Sequence, residues 1–324
     1  MLWDFRLSRA VAAVARTWPF VALRLGVYFG FAFAYLLVTG IGAGVGYGLG
    51  AFSDEPGAWA LGGGLIGFGA TGAALYLARE YILYIVKAGH IAVLVEVHDG
   101  RAIPADRGQI RFAQQIVKDR FVEASVLFAV DQLVKGVLRI ITGTLHAITA
   151  FIPIAGLQAL VRFVNAVLRI SLTYVDEIIL AYNIRVGSAN PWESSRAALV
   201  LYAQNYRGFL RNAVWLAAFM WGLTFLIFLV LLAPAGAIAG LYPGALASFG
   251  FVLAIIFAWS FKAAVLEPIA IAALMEVYFK TIQGQVPDPE WDARLASASA
   301  RFRALKDRAA SAMTGAAKSQ GTQA

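Results

Sequence analysis

Read for the order of apolar and polar positions, the chain is a series of long apolar blocks with short polar punctuation, and one stretch, Ser125 to Arg185, follows neither habit. Placed on a helix, Gln158, Arg162, Asn165, Arg169, Thr173, Asp176 and Asn183 fall within a stripe about 80° wide, with apolar residues over nearly all the rest. On the preceding arm Asp131, Lys135, Arg139, Thr142, His146 and Thr149 share a similarly narrow stripe. Phe151 to Gly156, with Pro153 inside it, supplies a turn. The pattern predicts a helical hairpin over 125–186, each arm greasy apart from a thin charged seam.

The flanking blocks read as membrane helices. Val21 to Leu49 is the first, and within it glycine takes every second position from Gly40 to Gly50. Alternation would suit a strand, but a lone strand in lipid leaves its backbone unsatisfied, so a helix is expected. On that helix the glycines form two rows, Gly40/Gly44/Gly48 and Gly42/Gly46/Gly50. A second block, Ala58 to about Ala78, answers with Gly62, Gly63, Gly64, Gly67, Gly69 and Gly72. Both clusters flank the loop Phe52 to Pro56, so they are expected to meet at one depth as close helix packing; a glycine-lined permeation path is the alternative. No breaker intervenes before Gly89, and the helix can run through Arg79, Glu80 and Lys87 to Val97, about 60 Å if unbroken. Its distal part, with His90 and His98, is expected to project into the cytoplasm as a solvated helix.

Past the hairpin, Asn190-Pro191-Trp192-Glu193 has the residues of a helix start: a capping Asn, Pro at the first position and Glu at the third. Ala213 to Leu232 and Ala245 to about Phe261 are two further spans, the second continuing past Lys262 to Pro268, where a kink is expected. Trp291, Leu295, Ala298, Phe302, Leu305 and Ala309 recur at spacings of four and three beside several basic residues, which predicts a tail helix resting on lipid or on its own subunit. At the other end Arg6, Arg9 and Arg16 share one side of an amphipathic segment suited to an anionic membrane surface. The apolar stretch after it is too long for the core of a signal peptide.

The expected organisation is an interfacial helix over 1–17, a glycine-rich transmembrane hairpin over 18–97 and a cytoplasmic linker over 98–124. The seam hairpin follows at 125–186, a second transmembrane hairpin at 187–284, and an amphipathic helix with a disordered end at 285–324. The fold class is an all-α polytopic membrane protein with four transmembrane helices, or six if the seam hairpin crosses.

Composition agrees with a bilayer as solvent: of 324 residues 60% are hydrophobic and only 14% charged, where soluble chains average about 25%. The absence of cysteine removes thiolate chemistry and Cys-ligated metals, and His90, His98 and His146 are too scattered for a metal or hydrolytic motif. Neither an enzyme nor a cofactor is expected. With both termini inside, the outer loops Ala51 to Gly57 and Ala233 to Gly244 contain no Lys or Arg, which satisfies the positive-inside bias. The net charge of +8 then reflects orientation in a bacterial inner membrane and attraction to anionic lipids, not nucleic acid.

Closing the hairpin on itself would bring Lys135, Arg139, Arg162 and Arg169 together with only Asp131 and Asp176 to offset them. The seams therefore need water or anions. In a homo-oligomeric ring they would line a pore for small, anion-favouring solutes, with Gln158 and Asn165 as polar lining and Asp131 and Asp176 as an acidic ring. The alternative is a non-transporting scaffold or lipid-binding protein whose seam cations grip phosphates of the cytoplasmic leaflet. Structural helices with snorkelling arginines are a third arrangement.

From Phe163 onward the order of features resembles the choline transporter-like family: Ser171-Leu172-Thr173-Tyr174 entering a helix, Tyr182-Asn183, then Ala203-Gln204-Asn205-Tyr206-Arg207. Arg211-Asn212 opens a span and a Glu/Phe-bearing segment near Glu276–Phe279 closes the last one. The likeness covers about 120 residues, and this chain has fewer spans and none of the family's cysteine-rich regions. What the resemblance implies is transport or lipid-related solute handling, without a choline site.

Overall fold

The computed structural model describes residues 3–104, 108–120, 129–137, 174–240 and 248–321, and every regular element among them is helical. α1 is Leu7–Arg16, α2 Trp18–Gly50, α3 Pro56–His98 and α4 Gly108–Arg120. After a helical segment at 129–137 come α5 Val175–Val186, α6 Pro191–Gln204, α7 Tyr206–Gly240 and α8 Ser248–Phe261. A π-helical turn, Lys262–Leu266, leads into α9 Glu267–Thr281, and α10 Pro289–Ala298 and α11 Ala300–Gly321 complete the described chain.

Trp18–Gly50, Pro56–Tyr76, Tyr81–His98, Tyr206–Ala233 and Ile255–Thr281 are each long and apolar enough to cross a membrane. The chain is an all-α multi-pass membrane protein. The five segments differ in what covers them: of an 18-residue apolar stretch in each, protein buries 6% in Trp18–Gly50, 44% in Tyr81–His98 and 61% in Ile255–Thr281. The last two therefore owe much of their apolar character to protein packing, whereas α2 keeps its apolar faces for lipid.

The chain divides into two compact units. One comprises Phe20–Lys87 and Gly222–Glu267. Here the glycines of α2 and α3 meet as expected, but only one row is used. A Cβ on Gly42 would collide with the carbonyl of Gly63, one on Gly63 with that of Gly42, and one on Gly67 would lie 2.5 Å from the Val38 carbonyl. Gly40, Gly44 and Gly48 face open space. Backbone-to-backbone packing of this kind replaces the hydrophobic driving force that lipid cannot supply between helices. Outward, Phe33, Ile41, Leu61, Ile66 and Val230 are exposed, an apolar surface suited to acyl chains.

The last long apolar helix is irregular one turn ahead of Pro268. Proline has no N–H to donate, so a carbonyl in the preceding turn loses its partner. The helix widens into the π turn Lys262–Leu266 at this point, the single-turn form in which π structure usually occurs.

The other unit comprises Met1–Pro19, Ala88–Trp221 and Pro268–Ala324. Its core includes the distal end of α3, where Ala88, Ile91, Ala92, Val93, Leu94 and Val95 are all buried. The expectation of a solvated projection with an exposed His90 is thus overturned: His90 is fully buried, its Nε2 2.9 Å from Thr17 Oγ1. A stretch apolar on every side belongs in a core, not in water.

α5 and α9 complete that core with Ile178, Ile179, Ile184, Ile271 and Met275, and Tyr278 donates its hydroxyl to the Ala198 carbonyl on α6 at 3.0 Å. α6 starts where the sequence places it, Asn190 accepting from the amides of Trp192 and Glu193. Glu193 does not reach back to the cap but accepts from Arg196 at 2.8 Å. The tail seam is buried at Leu295, Phe302, Leu305 and Ala309 as α10 and α11 pack on α6. α1 likewise buries Ala10 and Val14, while Trp3 and Phe5 stack among Trp215 and Phe219.

Candidate functional site

Of the seam residues, Asp131, Lys135 and Asp176 are described and come together. Lys135 Nζ lies 2.7 Å from Asp131 and 3.5 Å from Asp176. The two helical pieces carrying them, 129–137 and α5, bury Val130, Val134, Val137, Ile178 and Ile179 in the core of their unit. Burial and the adjoining Glu177 push Asp176 well above the usual carboxylate range, and Glu177 is hydrogen-bonded to it. Burial also opposes the charge on Lys135, but Asp176 and Asp131 outweigh it and hold the ammonium above its usual range. Asp131, Lys135 and Asp176 thus form a compact acid–lysine group. Arg139, Gln158, Arg162, Asn165 and Arg169 lie outside the described residues.

A second charged group lies within the unit made of Phe20–Lys87 and Gly222–Glu267, and the sequence reading did not single it out. Three basic side chains from separate stretches converge on Glu267: Arg24 Nη2 at 3.4 Å, Lys262 Nζ at 3.5 Å and Lys87 Nζ at 3.8 Å. Arg24 is only 1% exposed. It is held chiefly by a neutral acceptor, the Ala263 carbonyl at 2.8 Å, which lies within the π turn ahead of Pro268. Arg24 Nε is buried without a hydrogen-bond partner. Lys262 also stands 5.0 Å from the ring centre of Trp259, a cation–π distance.

Helix length sets the depth of this group. Arg24 is about 39 Å along α2 from Gly50, and Lys87 about 46 Å along α3 from Pro56, at 1.5 Å per residue. Both distances exceed the roughly 30 Å hydrocarbon core and match a bilayer that includes its headgroups. With Gly50 and Pro56 at one face of a bilayer, helices of these lengths would carry the cations to the headgroup level of the other.

The sequence did contain a signal for this group: Arg24 is the sole charged residue between Trp18 and Gly50. An ionisable residue inside an apolar span marks a functional site by default. Its partners, by contrast, lie more than 60 positions away and could not be read from spacing. A cavity of about 290 Å³ in the other unit is lined by Arg9, Arg16, His98 and Glu276. There Glu276 already pairs with Arg9 at 3.4 Å, which leaves the cavity less suited to an added anion.

Searches against protein-family models, curated proteins and solved structures return no match to this chain.

Proposed function

We propose that this is a multi-pass inner-membrane protein, with both termini cytoplasmic, that binds an anionic, phosphate-bearing ligand at the Arg24 group. The carrying observation is Arg24 itself: a buried guanidinium with Nε unpartnered, sharing one carboxylate with Lys87 and Lys262. Guanidinium and ammonium groups at headgroup depth recognise phosphate oxygens through charge-assisted hydrogen bonds. The reading agrees with the lipid-related handling implied by the resemblance to choline transporter-like proteins, though these cations select the phosphate and not a quaternary ammonium.

A second reading is favoured by the acid–lysine group at Asp131, Lys135 and Asp176. There a homo-oligomer would conduct small solutes along 125–186, with this group at the cytoplasmic mouth. One comparison separates the two. Arg24→Gln should lower affinity for phosphatidylglycerol in nanodiscs by about 10- to 100-fold, the range expected for one lost charge-assisted contact. Unchanged lipid binding, together with solute flux in vesicles that depends on Asp176, would reverse the order of the readings.

A further inference from the structure

Resting on the anion-binding reading, we infer that Glu267 is a placeholder: its carboxylate holds the site until a tetrahedral oxyanion displaces it. Three observations carry this. First, Glu267 fits its partners loosely. Its contacts lie at 3.4, 3.5 and 3.8 Å, whereas Arg196–Asp292 and Lys135–Asp131 in the same chain close to 2.7 Å. Charge-assisted pairs favour about 2.7–2.9 Å, so this carboxylate sits farther from each of the three basic groups than such a pair prefers.

Secondly, Arg24 is positioned without Glu267. The Ala263 carbonyl takes Nη2 at 2.8 Å, so the guanidinium stays in place when the carboxylate leaves. Its buried Nε has no partner, and Nε with Nη2 forms the guanidinium edge that matches two oxygens of a phosphate. A phosphodiester or sulfate can use that edge while its other oxygens face the lysines. A carboxylate has only two oxygens, and both are already divided among Arg24, Lys87 and Lys262.

Thirdly, Glu267 is not sealed in. It is the first residue after the π turn, where the hydrogen-bond ladder is already out of register, and its side chain keeps 15% exposure. An internal carboxylate that competes with the ligand also keeps the cations from holding an arbitrary anion permanently. It sets the threshold affinity of the site.

The test compares wild type, Glu267→Gln, Glu267→Asp and Arg24→Lys as full chains. One arm measures sulfate binding in detergent, sulfate having no titration near neutral pH. The other measures phosphatidylglycerol against phosphatidylcholine in nanodiscs. A placeholder predicts that Glu267→Gln binds about tenfold more tightly, one step on the affinity scale. Glu267→Asp, which withdraws the carboxylate by one methylene, should lie between it and wild type, and Arg24→Lys should bind more weakly although it keeps the charge. Tightening in either arm supports the inference, and the arm that shows it identifies the source of the oxyanion as solute or lipid. Weaker or unchanged binding by both Glu267 variants, with Arg24 dependence intact, overturns the placeholder and leaves the anion site standing. Loss of Arg24 dependence in both arms removes the site itself.

Discussion

Arg24 shows how much depends on one side chain whose partners come from elsewhere in the fold. A buried guanidinium is tolerated only where oxygen atoms replace its hydration, and here they come from Ala263 and Glu267. Asp292 does the equivalent work outside the spans. It accepts from Arg196 at 2.7 Å and from Lys306, tying α6 to both tail helices. Burial pushes its carboxyl up, but the hydrogen bonds from Lys306 and Arg196 outweigh this and leave it below the usual aspartate value of 3.8. A lowered folded value means the contribution is complete above the unfolded pKa and disappears as pH falls through the folded one. Docking of α10 and α11 should therefore be flat above about pH 5 and weaken below about pH 4. Hydrogen exchange of residues 300–312 checks this, and Asp292→Asn should reproduce the loosening at pH 7 with a loss of about 1–3 kcal/mol. Equal protection factors at pH 3 and pH 7, after allowing for the slower intrinsic exchange of amides in acid, would refute it.

Among the elements, the pair α2 and α3 depends on bare backbone at its crossing. Gly63→Ala should cost about 1–3 kcal/mol, because its Cβ meets the Gly42 carbonyl and not a side chain that can rotate away. Gly44→Ala is the control: nothing lies within 4 Å of its Cβ, so stability should stay within about 0.5 kcal/mol. Thermal unfolding in detergent compares the two, and equal midpoints would mean that the crossing does not carry the pair. The glycine periodicity showed that helices would approach closely. Which of the two rows makes the contact depended on the rotation of α2 about its axis, a choice made by long-range packing. Pro268 is similar: the sequence located the irregularity at the end of the last span, and the structure shows it as a π turn at Lys262–Leu266 whose Ala263 carbonyl binds Arg24.

For the molecule as a whole, the absence of cysteine makes topology directly measurable. On the proposed orientation, with both termini inside, Ser53→Cys in the loop between α2 and α3 should react with an impermeant maleimide on intact cells. Ser297→Cys on α10 should react only after permeabilisation. Labelling of both from one side would overturn the orientation.

The sequence by itself determined the helical fold class, the apolar blocks on either side of 125–186, the start of α6 at Asn190 and an irregularity near Pro268. Each follows from local periodicity, capping chemistry or a missing N–H, all of which act within a few residues. Tertiary structure alone decided that His90 is core, that Lys135 also reaches Asp176, and that Arg24, Lys87 and Lys262 meet at Glu267. Those outcomes depend on which helix faces meet. An apolar stretch has the same pattern whether it is buried by lipid or by protein, and the spacing of a charge along its own helix does not specify a partner more than two hundred residues away.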